Sequence, residues 1–151
     1  IKQRVNQTFF RYSVLSSYDN KCCISGIGNQ LLLEACHIQD WSVDSDNRTN
    51  PENGLCLNSL FHRAYDKFLL AITPDYHIVI SEKFIADTGD NLFKQYLIDI
   101  NGRTINLPSR VYPRRALLDY HYQKYLSAPS LPYFPSPRRM RRGLFSVVSV
   151  S

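Results

Sequence analysis

Four residues carry the chemistry this 151-residue chain could perform: His37, Asn53, His62 and Asp66, in the order His-x15-Asn-x8-His-x3-Asp. Imidazole titrates near neutrality, so a histidine can take a proton from water. A histidine and a carboxylate four residues apart share one face of a helix, where they can grip a metal ion between them. Hydrolysis of a phosphodiester needs both functions: a base for the attacking water, and a cation against the charge gathering on the phosphate and the departing oxygen. An asparagine between them can orient the basic ring or pin the loop beside it. Each residue also has a plainer reading. Asn53 precedes Gly54, a pair that favours tight turns. His62 and Asp66 could be a surface pair, and His37 alone could be structural.

The elements that must position these residues follow from hydrophobic patterning. Apolar residues at 9, 10, 14 and 15 predict a helix over 7–18. Cys22–Ser25 leads into a turn at 26–29, residues 31–38 (LLLEACHI) read as a buried strand, and the run from Cys22 to Ile38 reads as a hairpin. His37 then stands at a strand end. Residues 39–52 are a polar loop of the length usually kept for function or disorder. Residues 54–57 (GLCL) read as a second short strand, with Asn58 or Ser59 capping a helix over 59–68 that carries His62 and Asp66. Strands are expected at 69–73 and 76–81, a short helix at 91–97, and a longer helix entered through Pro113.

Charge is divided unevenly. Residues 1–105 hold ten Lys/Arg against twelve Asp/Glu, while residues 106–151 hold eight against Asp119 alone, within a net charge of +5. A basic C-terminal third suits a polyanion, although a solvated tail has the same composition. The cysteines Cys22, Cys23, Cys36 and Cys56 form no CxxC pair, and most of them read as reduced, buried thiols of a cytoplasmic protein. A zinc site built from Cys23, Cys36 and Cys56 lacks finger or ribbon spacing. No apolar run approaches a membrane span, and no signal-peptide pattern opens the chain. The chain begins at Ile1 rather than Met, as a fragment of a longer protein would.

The segments FFRYSVLSSYDNKCCISG, LLLEACHIQDWS and NRTNPENGLCLNSLFHRAYDKF together resemble the HNH endonuclease family, closest to its restriction-enzyme-like branch. The likeness runs over about residues 4–82, and LLDYHYQKYL resembles a helix that often closes the domain. It implies an α+β fold with a ββα-metal core at 21–82 and flanking N- and C-terminal helices, in a domain over 1–126; composition marks 127–151 as a basic Pro/Ser/Arg-rich tail. It implies His37 as general base, Asn53 as the middle asparagine, His62 as helix metal ligand and Asp66 as a further ligand. Cys36 stands where relatives carry Asp or His as a ligand. It is either a third ligand that favours softer metals or, as the resemblance leans, a small buried residue. Asp40 replaces a usual proline and either bends the loop or lies near the metal. Arg48 orders the loop or touches substrate, and Arg63 contacts phosphate or is a solvated helix residue.

The implied cofactor is Mg²⁺ or Mn²⁺, with Zn²⁺ or Ni²⁺ as alternatives. The implied partner is DNA, in restriction or defence against foreign DNA. No membrane is expected, and a homodimer and a fused or separate specificity domain are both compatible. Two rivals stand beside this reading: a homing- or toxin-type nuclease, and a catalytically inactive module that only binds nucleic acid. His77 reads as structural, His121 as packing or hydrogen bonding, and Tyr120, Tyr122 and Tyr125 as core and surface aromatics rather than a base-stacking platform.

Overall fold

A computed structural model describes residues 2–40 and 48–128. The middle of the polar loop and nearly all of the expected basic tail lie outside them. Helix α1 spans Lys2–Ser17. Strand β1 (Leu33–His37) and strand β2 (Gly54–Asn58) form an antiparallel pair, with Leu33 opposite Asn58 and His37 opposite Gly54. Helix α2 (Ser59–Asp66) follows β2 directly. Strands β3 (Leu70–Ile72) and β4 (Ile78–Ile80) pair antiparallel in a second small sheet. Helices α3 (Glu82–Asp87), α4 (Asn91–Ile100) and α5 (Arg115–Ser127) complete the α+β fold.

The β1–β2 hairpin lies between α1 and α2. Every residue of β2 is buried, because helices cover both of its faces; this explains why GLCLN reads as a continuous run rather than an alternating one. Helix α1 buries Phe10, Val14 and Leu15 against the hairpin and leaves Phe9 exposed. The expected helix therefore exists but begins five residues earlier, and one of its four apolar positions faces outward. Gly54 is extended, not a turn residue (φ −133°). A Cβ there would overlap Val14 and come within 3.0 Å of Phe10 Cζ, so the glycine lets α1 approach the strand. The turn reading of Asn53-Gly54 is thereby corrected.

The expected hairpin from Cys22 to Ile38 does not form. Residues 22–25 make turns, with Gly26 N–H bonded to the Cys22 carbonyl, and a 3-10 turn at Gln30–Leu32 leads into β1. β1 pairs instead with β2, across the long loop. The apolar pattern of CCIS permits a strand, but both cysteines are buried in the core, and the segment meets β2 through one main-chain bond, from Cys23 N–H to the Cys56 carbonyl at 2.9 Å, without forming a ladder.

Local chemistry sets the limits of α2. Asn58 Oδ1 accepts from Phe61 N–H at 2.9 Å, an N-cap, and its amide donates to Ser25 Oγ at 2.8 Å. At the other end Phe68 takes a left-handed conformation (φ +58°). Phe68 N–H returns to the Tyr65 carbonyl and Leu69 N–H to the Ala64 carbonyl, the paired bonds of a Schellman stop. Helix α3, which the sequence reading missed, starts at a Ser81 cap. Helix α4 runs three residues further than expected, to Ile100. All four cysteines are buried free thiols, where the sequence suggested this for most of them. No helix among the described residues is long and apolar enough to cross a membrane.

Candidate metal and catalytic centre

Successive residues of β1 point to opposite faces of the hairpin. Glu34 and Cys36 meet α2, while His37 meets α1. The His37 ring stacks on Phe10, with centroids 3.9 Å apart and planes within 4°. Its Nε2 lies 2.9 Å from the Arg48 carbonyl oxygen. A carbonyl only accepts, so Nε2 carries the proton and, in the neutral ring, Nδ1 carries the lone pair. Stacking and this bond fix both the orientation and the tautomer. Arg48 meets His37 through its main chain.

Asn53 is 1% exposed. Its Oδ1 accepts from Gln39 N–H at 2.8 Å, and its Nδ2 donates to the Gln39 carbonyl at 3.2 Å. Ile38 N–H bonds to the Asn53 carbonyl at 2.9 Å. The asparagine therefore fastens the two ends of the long loop together just beyond His37. Of the two roles open to it, these bonds are those of a loop fastener.

On the α2 face, His62 Nδ1 is 2.6 Å from Glu34 Oε1, and His62 Nε2 is 3.3 Å from Asp66 Oδ2. Cys36 Sγ lies 4.0 Å from Asp66 Oδ1. The Asp66 carboxylate foremost, then the Cys36 sulfur, with Glu34 adding less, push His62 up to about 11. Burial pushes the Cys36 thiol up to about 11. In this state His62 is an imidazolium between two carboxylates. Glu34 was not singled out in the sequence. Its position two residues before Cys36 on a strand, hence on the same face, was the available signal.

One donor atom each from Cys36, His62 and Asp66 lie within 4.8 Å of one another, the one such group found among the described residues. Metal–ligand bonds of about 2.0–2.3 Å bring two donors on one ion to within ~4.6 Å of each other. The three side chains therefore need only a slight approach to share an ion. The donor chemistry fits a divalent cation that accepts sulfur, nitrogen and oxygen together. With Nδ1 held on Glu34, Nε2 is the nitrogen that would be left to hold an ion.

His37, His62 and Asp66 open on a common cavity of about 500 Å³, whose wall also includes Asp40, Tyr120, His121 and Lys124. Arg63 is exposed on α2. His121 closes one side: it stacks on Tyr65 at 3.6 Å, and its Nε2 donates to the Tyr65 carbonyl at 3.0 Å. Burial lowers it to about 4, so it is neutral. It serves packing and hydrogen bonding, as expected. His77 bonds to the Gly102 carbonyl through Nδ1 at 3.1 Å, away from this cavity.

Residues 22–73 match the model of a family described as HNH endonuclease. No curated protein matches the chain significantly. Among solved structures, the modification-dependent TagI restriction endonuclease is 19% identical, with a TM-score of 0.44. The similarity covers 85% of this chain and 39% of that one. The matched segment, about a third of the chain, spans β1, the long loop, β2, α2 and β3, and over those residues the chain is similar to the HNH endonuclease family.

Proposed function

We propose that this protein is a metal-dependent endonuclease that hydrolyses DNA phosphodiester bonds, in restriction or another defence against foreign DNA. The observation that carries the reading is the common cavity on which a tautomer-fixed His37 and the His62–Asp66 pair both open. His37 Nδ1 takes the proton of the attacking water, while the Arg48 carbonyl and the Phe10 ring keep the imidazole aimed. Asn53 keeps the loop ends closed beneath it. Cys36, His62 and Asp66 hold the ion, and Glu34 holds His62. A bound divalent cation supplies Lewis-acid stabilisation of the phosphate and the departing oxygen.

Mg²⁺ and Mn²⁺ are the ions of first expectation for phosphodiester cleavage, and Mg²⁺ prefers oxygen donors. A Cys36 sulfur within reach of His62 and Asp66 instead favours Mn²⁺, Zn²⁺ or Ni²⁺ over Mg²⁺. The test is supercoiled-plasmid cleavage by wild type and Cys36→Asp with each of the four ions and with chelator. Cleavage that needs an ion, with Cys36→Asp moved towards Mg²⁺, supports both the enzyme and the sulfur ligand. DNA binding with no cleavage under any ion favours the binding-only module.

A further inference from the structure

The cavity wall includes a cation that neither the base nor the metal grip uses. Lys124 lies in the last turn of α5, and its ammonium sits 4.5 Å from the centroid of the Tyr120 ring, one helical turn back. Both residues line the cavity on which His37, His62 and Asp66 open. Among the described residues no carboxylate pairs with Lys124. A last-turn lysine gains a little from the helix dipole wherever it points. That does not account for its place on the wall of this particular cavity.

The position of α5 is fixed against the metal helix. His121, next to Tyr120, stacks on Tyr65 and bonds to its carbonyl, and Tyr65 adjoins Asp66. Leu117 and Leu118 anchor the same helix in the core. The ring of Tyr120 attracts the ammonium, which favours a direction for a side chain that would otherwise range freely. An unpaired cation directed into a cavity that also holds a general base and a carboxylate-bearing metal grip is complementary to a phosphate diester.

We propose that Lys124, steadied by Tyr120, is a substrate-binding residue that contacts a DNA backbone phosphate at the cleavage site. The inference rests on the nuclease reading for its substrate, and its test separates the two. Binding of a double-stranded DNA oligonucleotide is measured without metal over a range of salt concentrations, for wild type, Lys124→Gln and Lys124→Arg. Cleavage is measured with metal, and metal affinity is measured by calorimetry. Lys124→Gln should lower the slope of log K against log salt by about 0.9, the loss of one phosphate contact. It should also slow cleavage about ten-fold or more with metal affinity unchanged, and Lys124→Arg should restore most of both.

If wild type binds but does not cut, a reduced slope in Lys124→Gln keeps the contact while the nuclease reading fails. If wild type cuts, and Lys124→Gln cuts and binds with an unchanged slope, the contact is refuted while the nuclease reading stands. Wild type that binds no DNA overturns both. Thermal unfolding of the variants, expected to match wild type because Lys124 is exposed, excludes misfolding as the cause.

Discussion

The two faces of the β1–β2 hairpin hold their histidines by different physics. On the α1 face, an aromatic stack on Phe10 and a bond to the Arg48 carbonyl orient His37, with Asn53 tying the loop beside it. On the α2 face, His62 is fixed by charge, between Glu34 and Asp66 and beside Cys36. A bond from Nε2–H to a carbonyl selects the tautomer in which a neutral ring carries its lone pair on Nδ1. A carboxylate cage raises proton affinity, and it equally suits a metal cation that replaces the proton. Adjacent residues, Cys36 and His37, thus serve opposite faces, because a strand alternates its side chains.

The largest expected effect tests the α1 face. His37→Ala should reduce cleavage by about 10²–10⁴-fold, the usual worth of a positioned base. Metal affinity by calorimetry should stay near wild type, since His37 is not among the three donors. Cleavage at the wild-type rate would sink the assignment.

The next concerns a third histidine, His121, which is held neutral beside the charged helix. His121 has a folded value of about 4 against the ordinary 6.5. Between pH 6.5 and 4 the unfolded chain takes up a proton that the folded chain refuses. Stability should therefore fall as the pH drops through that window, by up to roughly 3 kcal/mol. His121→Phe should flatten this part of the acid limb in urea unfolding followed from pH 7 to pH 4. An acid limb as steep as that of wild type would show that His121 is not buried neutral.

Breaking the charged face should cost less. Glu34→Ala should weaken metal binding about 10–100-fold, the usual effect of losing a residue that orients a ligating histidine. Glu34→Gln keeps an acceptor for His62 Nδ1–H and should recover part of that loss. Equal affinity in all three proteins by calorimetry would mean that Glu34 only decorates the site.

The smallest effect sharpens the contrast. Asn53→Ala removes both bonds to Gln39 and should destabilise the fold by about 1–3 kcal/mol. Cleavage should fall through loosening of His37, while metal affinity holds. A fall in metal affinity equal to the fall in cleavage would show that the two faces are not independent.

Much of the centre was legible in the chain. The spacing of His62 and Asp66 on one helix, the Asn58 cap and the buried GLCL strand all follow from local rules, and all three stand in the fold. The pairing of the first strand was not legible locally. LLLEACHI could have returned to CCIS nearby, and instead it pairs across the long loop with β2. Strand pairing depends on which faces find cover, and here α1 and α2 supply it from both sides. Gly54 shows the same limit: Asn-Gly reads as a turn until Phe10 and Val14 arrive from another helix and require the missing Cβ.

The sequence by itself determined the identities and the order of the chemical groups, because residue type sets proton affinity and donor character, and helical period sets which pairs share a face. It also determined which segments could be helix or strand. Only the tertiary structure decided that Cys36 and Glu34 join His62, that the Arg48 carbonyl selects the His37 tautomer, and that α5 brings Lys124 to the cavity. The bonded pairs lie 11 to 30 residues apart in the chain, from His37–Arg48 to Cys36–Asp66, and Lys124 lines a cavity with His62, 62 residues before it. They arise from the packing of separate elements around one core, which no local pattern encodes.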